Sequence, residues 1–501
     1  MRNLDTPVKQ IRRKIFGEVA KLGFESTDDS LIHDIEAVPY NIVQERAQYR
    51  ESIYRERAVA SERVRLAMGL SLRPENKAVH LTAGVEASNI DEKYYEPPLM
   101  QVIPSACSAC PSNMYEVSNM CRGCVAHPCM QACPKGAISM VDGKSHIDQT
   151  KCVKCGKCKS VCPYDAIAHK ERPCERACGV KAIGSDEHGR AQIDDKKCVS
   201  CGMCMVSCPF GAISDKSQIF QLAHALREGN EIIAEVAPAY ISQFGDAVTP
   251  GKFHAALTAL GFTNVYEVAL GADIGAISEA HHYAKEVATG NLPFLLTSCC
   301  PSWSMLAKKQ FPTMIDNISQ ELTPMVATAR SIKKEHPNAK VVFIGPCAAK
   351  KLEAMRSSVR SDVDFVITFE ELWGLFDAKE IDPAAVKASE SLHDATAAGR
   401  GYAVAGGVAG AIEACLKEYY PDVPVHIEHA ESLAECKKML TLAKVGKLNG
   451  CMIEGMACPG GCMGGAGTNA PYAKAAKALK GYLASSTEKL PSKELEEIEL
   501  N

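Results

Sequence analysis

The chain has 501 residues, 46% of them hydrophobic and 23% charged, and 56 basic against 60 acidic side chains leave a formal charge of −4. That length sets a prior of roughly three domains, with cores large enough to stand without disulfides. The balanced charge excludes a nucleic-acid surface as the organising feature. The 24 cysteines say more: sixteen lie between Cys107 and Cys208, and the others are spread thinly from Cys299 onward. The chain starts MRNLDTPVKQIRRKIF, with no apolar signal core, and its longest uncharged apolar stretch, Tyr402–Ile412, is too short to span a bilayer. The expectation is a soluble cytoplasmic protein without membrane or nucleic-acid partners, in which clustered cysteines bind metal or do redox chemistry.

In chain order, residues 1–100 form a cysteine-free helical region with a long predicted helix, Asn41–Leu70, stopped by Pro74. Its arginines (Arg46, Arg50, Arg57, Arg63, Arg65) and apolar positions read as a solvated amphipathic helix packed on a neighbouring domain. Residues 101–220 are the cysteine-dense region. Residues 221–485 alternate short apolar runs with helical stretches. Predicted strands are Glu231–Val236, Val265–Leu270, Pro293–Leu296, Val341–Ile344, Val363–Ile367, Val423–Ile427 and Cys451–Ile453. Predicted helices are Gly251–Leu260, Ile277–Thr289, Glu370–Phe376, Ala409–Glu418 and Ser432–Ala443. Residues 486–501 are a charged tail expected to fray. The whole reads as an α+β multidomain chain whose α/β part has parallel sheets, with sites at the C-terminal ends of strands.

Two cysteine runs, Cys152, Cys155, Cys158, Cys162-Pro163 and Cys198, Cys201, Cys204, Cys208-Pro209, have the spacing of the bacterial ferredoxin run that binds 4Fe-4S clusters. In that run three thiolates wrap one cube and the fourth ligates its neighbour. Each run therefore needs a partner, and an internal repeat supplies it. Cys-x3-Ala-Ile occurs four times, at Cys133, Cys162, Cys178 and Cys208, and Ile-Asp-x-x-Lys-Cys-Val-x-Cys occurs at Ile147–Cys155 and Ile193–Cys201. Residues of about 121–167 and 170–213 are thus two copies of a dicluster unit. The second lacks its leading Cys-x2-Cys, and Cys107-x2-Cys110 stands unclaimed upstream. The sixteen thiols then divide into four sets. These are Cys133 with Cys152, Cys155 and Cys158; Cys178 with Cys198, Cys201 and Cys204; Cys121, Cys124 and Cys129 with Cys162; and Cys107, Cys110, Cys174 and Cys208. Spacing leaves open whether Cys107/Cys110 and Cys121/Cys124 exchange roles, and zinc stays an alternative at the Cys107/Cys110 set. Gly179 departs from the repeat, which has proline after Cys133, Cys162 and Cys208. Four such clusters would make an electron relay.

A relay needs a terminus. Three cysteine stretches follow predicted strands: Thr297-Ser298-Cys299-Cys300-Pro301-Ser302-Trp303, Gly345-Pro346-Cys347-Ala348-Ala349-Lys350-Lys351, and Glu454–Gly465 around Cys458 and Cys462. Cys300, Cys347, Cys458 and Cys462 would complete a fifth four-thiolate site, and the glycines around the last two admit close approach of a bulky inorganic ligand. These loops resemble the signature loops of FeFe-type hydrogenases, in the usual order. The resemblance runs from about Glu231 to about Thr468 and includes Ala237-Pro238-Ala239, Gly271-Ala272-Asp273 and Glu279.

The resemblance implies a two-lobed α/β catalytic domain around an H-cluster, a 4Fe-4S cube joined through a cysteine sulfur to a di-iron unit with CO, cyanide and dithiolate-amine ligands. Carried over, Cys300, Cys347, Cys458 and Cys462 hold the cube, with Cys462 bridging. Lys350 donates to a cyanide, and Pro238, Ala239, Pro346 and Met456 line the cavity. Cys299 is no ligand but hands protons between solvent and the amine, followed by Glu279 and Ser319; the outer acidic member of this path is replaced by His282. Departures are Ser302 for glycine, Gly345 for methionine, Met325 for glutamine, and Ala466 and Thr468 in the third loop. They imply a divergent subgroup.

The implied activity is reversible dihydrogen oxidation and proton reduction, with dihydrogen and protons as substrates, a ferredoxin-like electron carrier as partner and hydrogenase maturation proteins as assembly partners. A hydrogen sensor on the same site is the alternative. Related iron–sulfur assembly proteins lack the di-iron site, so Cys299, Lys350 and Met456 together argue against them. Cys415, Cys436 and Cys451 read as buried neutral thiols. Of the pairs His281-His282 and Lys350-Lys351, only His282 and Lys350 carry weight; their neighbours read as surface residues.

Overall fold

A computed structural model describes residues 6–389, 392, 395–497 and 500. Among them, no helix is long and apolar enough to cross a membrane.

The N-terminal region begins with helix Pro7–Glu25, capped by the Thr6 side chain accepting from the Lys9 N–H. Helix Asp28–Ile42 follows behind a Thr27/Ser30 capping box. The single helix predicted over Asn41–Leu70 is instead the end of this helix, a turn-rich break, and helix Ile53–Ala67. Contacts across the break hold it: Arg57 donates to the Val43 carbonyl at 2.9 Å, and Glu56 accepts the Gln48 N–H at 2.8 Å. Apolar periodicity cannot register such bonds. Helix Ile53–Ala67 does pack on a neighbouring unit, but two of its arginines are withdrawn from solvent. Arg63 and Arg65 are buried, and Arg65 caps the Ser71, Leu81 and Ala83 carbonyls.

The cysteine-dense region is built from short antiparallel pairs. Strand Met114–Val117 pairs with Ile167–Lys170, and strand Met100–Val102 pairs with Ile213–Asp215. The hairpins Ile138–Val141/Lys144–Ile147 and Ile183–Ser185/Ala191–Ile193 lie between them in sequence. Each outer pair closes one copy of the repeat, so the second copy is discontinuous: its first strand precedes the whole of the first copy.

Two parallel sheets follow. One has the order Asn264–Glu267, Ile232–Val236, Lys340–Gly345, Phe365–Thr368; the other has Leu295–Leu296, Met452–Met456, Ile427–Glu431. Strands Ile232–Val236 and Met452–Met456 are buried throughout, as parallel strands covered on both faces are. The run at Val265–Leu270 divides, its first half joining the sheet and Ala269–His282 forming a helix. Gly271 sits where an added Cβ would lie 2.3 Å from the Pro324 carbonyl, so it admits the close approach of helix Pro324–Glu335. The strand expected at Val423–Ile427 starts only at Ile427, because Pro424 has no N–H for a ladder. The tail expected to fray is docked in its described part. Ala397 and Ala398 donate to the Glu488 and Lys489 carbonyls, and Leu500 is buried against Ile274 and Ala327.

Candidate active site and cysteine relay

Cys107, Cys110, Cys174 and Cys208 line one small cavity, and Cys178, Cys198, Cys201 and Cys204 line another. The pairing of Met100–Val102 with Ile213–Asp215 carries Cys107-x2-Cys110 into the second copy. The buried Arg172 fixes the loop there, donating to the Cys110, Gly184 and Gly189 carbonyls at 2.7–3.0 Å. Of the two arrangements that spacing left open, strand pairing thus brings Cys107 and Cys110, not Cys121 and Cys124, beside Cys174 and Cys208. In the first copy, Cys121 accepts the Ser145 N–H while Cys129 meets the Ser145 hydroxyl at 3.3 Å. Cys129, Cys133, Cys152, Cys158 and Cys162 share one apolar cluster with Ile138, Ile147 and Ile167. Among the described residues, no three of His, Cys, Asp or Glu converge on one point as the shell of a single metal ion.

The three later cysteine loops leave the C-terminal ends of Leu295–Leu296, Lys340–Gly345 and Met452–Met456, from both sheets, and meet at one cavity. Its volume is about 90 Å³, and its wall is almost entirely apolar. Cys300, Cys347, Cys458, Cys462 and Cys299 all line it, with Pro238, Ala239, Met325, Pro346, Lys350 and Met456. Burial pushes the Cys347 thiol up to about 11 and raises Cys300 and Cys462 as well, so these are neutral thiols until a metal group displaces their protons. Gly461 and Gly465 bring backbone against backbone: added Cβ atoms would lie 2.5 Å from the Ala405 nitrogen and the Pro346 oxygen. Gly345 has no room for a longer side chain, because the Phe343 ring lies 2.5 Å from where its Cβ would be; Phe343 lines the cavity itself. Lys350 is held by Glu353 at 2.7 Å and Thr323 at 3.3 Å, leaving a third ammonium proton for an acceptor in the cavity. Four converging thiols, one oriented ammonium and a dry wall fit a bulky anionic metal–sulfur group.

Glu279 lies on helix Ala269–His282 behind this cavity, hydrogen-bonded to Ser319 and to the backbone of Ser298. Burial dominates its environment and pushes the carboxyl up to about 8. Glu279 is the leading charged neighbour of Cys299, whose thiol burial also raises. Beyond Ser319 the next group is Glu321, whose N–H donates to the Ser319 hydroxyl at 3.3 Å. Its carboxylate stands 3.9 Å from His282, and both side chains reach solvent. Sequence reasoning missed Glu321; its place two residues past Ser319 was the available signal. His281 bonds Tyr420 instead.

Lys351, taken as a surface residue, is 2% exposed and ion-paired to Asp215 and Glu371, each at 2.7 Å. It joins the cysteine region to the α/β lobes, as does Arg12 through Glu370 and Asp215. Cys415 and Cys436 are buried on helices; Cys451 lies just before its strand and is only partly buried. Burial dominates in raising the Cys201 and Cys204 thiols; Cys300 also acts on Cys201, and Cys174 on Cys204, so these thiols are within electrostatic reach of one another.

Comparison with known families is consistent with this geometry. The profile of the family described as "Iron only hydrogenase large subunit, C-terminal domain" matches residues 230–466. A "4Fe-4S binding domain" matches 145–168, and an "LdpA Fe-S cluster-binding domain" matches 168–219. The chain is 28% identical over 387 residues to iron hydrogenase 1 of Clostridium pasteurianum, covering 67% of each chain. It is 29% identical over 378 residues to the NADP-reducing hydrogenase subunit HndD of Solidesulfovibrio fructosivorans, covering 65% of this chain and 57% of that protein. To the periplasmic Fe hydrogenase large subunit of Nitratidesulfovibrio vulgaris it is 28% identical over 377 residues, 64% of this chain and 85% of that one.

Proposed function

We propose that this chain, a member of the iron-only hydrogenase family through residues 230–466, is an oxidoreductase that interconverts dihydrogen with protons and electrons at an H-cluster. The observation that carries the reading is the convergence of Cys300, Cys347, Cys458 and Cys462 on one buried cavity that Lys350 also lines. The bound group would supply the redox centre at which dihydrogen is split. Cys300, Cys347, Cys458 and Cys462 hold its cube, and the free donor of Lys350 answers an anionic ligand. Pro238, Ala239, Pro346 and Met456 exclude water, which strengthens every polar contact inside.

Protons travel along Cys299, Glu279 and Ser319 to the Glu321–His282 pair at the surface. A Glu279 poised at about 8 is neutral at pH 7 and can both give and take a proton. Cys178, Cys198, Cys201 and Cys204 would hold one accessory cluster, Cys107, Cys110, Cys174 and Cys208 a second, and the sixteen thiols four in all, which would supply one-electron relay between the cavity and the surface. Four accessory 4Fe-4S clusters and a ferredoxin-like carrier complete the reading, and maturation proteins supply the di-iron unit. The thiol content suits a reducing, cytoplasmic setting.

Infrared spectra of anaerobically prepared, matured protein are expected to show CO and cyanide bands, with dihydrogen turnover on a soluble dye. Matured protein without those bands would refute the reading; bands with only trace turnover would favour the sensor.

A further inference from the structure

The cavity wall contains one polar group that neither the loops nor the proton path uses. Tyr402 follows helix Ala397–Gly401 and is 7% exposed. Its ring belongs to the apolar cluster of Ala272, Ala276, Val408, Ile412 and Met456, and it lines the cavity. A phenylalanine would serve that packing. The hydroxyl, however, is buried without a hydrogen-bond partner, although buried tyrosine hydroxyls ordinarily have one.

The polar groups in its field are Glu279, Cys299, Cys415 and Asp273, of which the Cys415 thiol is a weak acceptor. Two of them are engaged elsewhere: Asp273 accepts the Thr396 N–H at 2.8 Å and the Thr396 hydroxyl at 2.6 Å, and Glu279 is bonded to Ser319. The Cys299 thiol is a weak acceptor. What remains for the hydroxyl is the cavity interior.

We propose that Tyr402 donates a hydrogen bond to an acceptor atom of the group bound in the cavity, beside Cys299, and so fixes that group's orientation. Its oxygen then gains the partner that the protein withholds. The inference rests on the hydrogenase reading, but it concerns a residue that the signature loops do not include.

The test is Tyr402→Phe in the full chain, which keeps the ring and removes only the hydroxyl. Two preparations are compared, one made without maturation proteins and one matured. Without the di-iron unit, the variant is expected to melt higher than the parent, because an unpaired hydroxyl has left a dry cavity. In the matured protein that gain is expected to vanish or reverse, and CO or cyanide bands to move relative to the parent. Superimposable bands with an equal melting-temperature change in both preparations would overturn the role of Tyr402 while leaving the hydrogenase reading intact. A matured parent without any such bands would instead remove the reading on which the inference stands.

Discussion

The Ser302 hydroxyl donates to the Val199 carbonyl at 2.8 Å, in a seam where both residues are buried. Ser302 follows the cavity-lining Cys300 by two positions, and Val199 lies between Cys198 and Cys201, which line the neighbouring cavity of the cysteine region. Two further departures, Ala466 and Gly179, also meet residues across this boundary. Gly202 lies against Ala466, whose Cβ would be 2.5 Å from a Cβ on Gly202, and Gly179 lies against Leu433 at 2.6 Å. Lys309 adds a bond to the Cys198 carbonyl at 2.6 Å. Ser302, Ala466 and Gly179 thus lie where the α/β lobes pack against the cysteine region.

Ser302→Ala leaves the Val199 carbonyl buried without a donor, a loss of about 1–3 kcal/mol. The expected outcome is a lower melting temperature with normal iron content. An unchanged melting temperature would show that the seam does not depend on this bond.

Gly179→Pro restores the repeat's residue, yet it is expected to destabilise the protein by about 1–3 kcal/mol, since the new Cβ meets Leu433 and the Ala434 nitrogen on helix Leu433–Lys444. Denaturant unfolding would register it. The analogous proline after Cys133 does no such damage, which makes the effect specific to the seam.

Glu279 has its carboxyl raised from 4.5 to about 8 in the folded protein. Between these values the folded state keeps a proton that the unfolded state has released, so stability falls as pH rises through that window. Glu279→Gln is expected to flatten the decline of melting temperature from pH 5 to pH 9. Because it also removes the relay proton, turnover should drop on the order of 100-fold or more. A variant with parental turnover would exclude Glu279 from the path.

For the exit, Glu321→Gln with His282 retained is expected to slow turnover and shift its pH profile, whereas His281→Gln, away from the path, should leave both unchanged. Steady-state rates across pH separate the two. Equal profiles for Glu321→Gln and the parent would direct the exit elsewhere.

Cys174→Ala is expected to cost one cube's worth of iron and sulfide, together with the spectroscopic signal that Cys107→Ala also removes, because the two thiols line one cavity. If Cys107→Ala instead affected the signal lost in Cys129→Ala, the strand pairing would be a poor guide to cluster membership.

Much of the fold was legible along the chain because the chemistry involved is local. Parallel strands such as Val341–Ile344 are unbroken apolar runs, and both three-cysteine wraps close within seven residues. The failures came where the deciding contact lies outside the local period of the chain. The helix expected over Asn41–Leu70 breaks where Arg57 and Glu56 bond back to Val43 and Gln48, and Lys351 looks solvated until Asp215 and Glu371 are brought to it.

The sequence by itself carried the two three-cysteine spacings and the three strand-end loops, because spacing fixes what a few residues of backbone can reach; Cys299, Glu279 and Ser319 stood out as a set only through the family resemblance. Only the tertiary structure showed that Cys107 and Cys110 line one cavity with Cys174 and Cys208, that Glu321 stands beyond Ser319 next to His282, and that Tyr402, a residue of the active-site cavity wall, has a hydroxyl buried without a partner. Each depends on which distant segments pair and which polar atoms burial leaves without water, and no spacing along a chain records either.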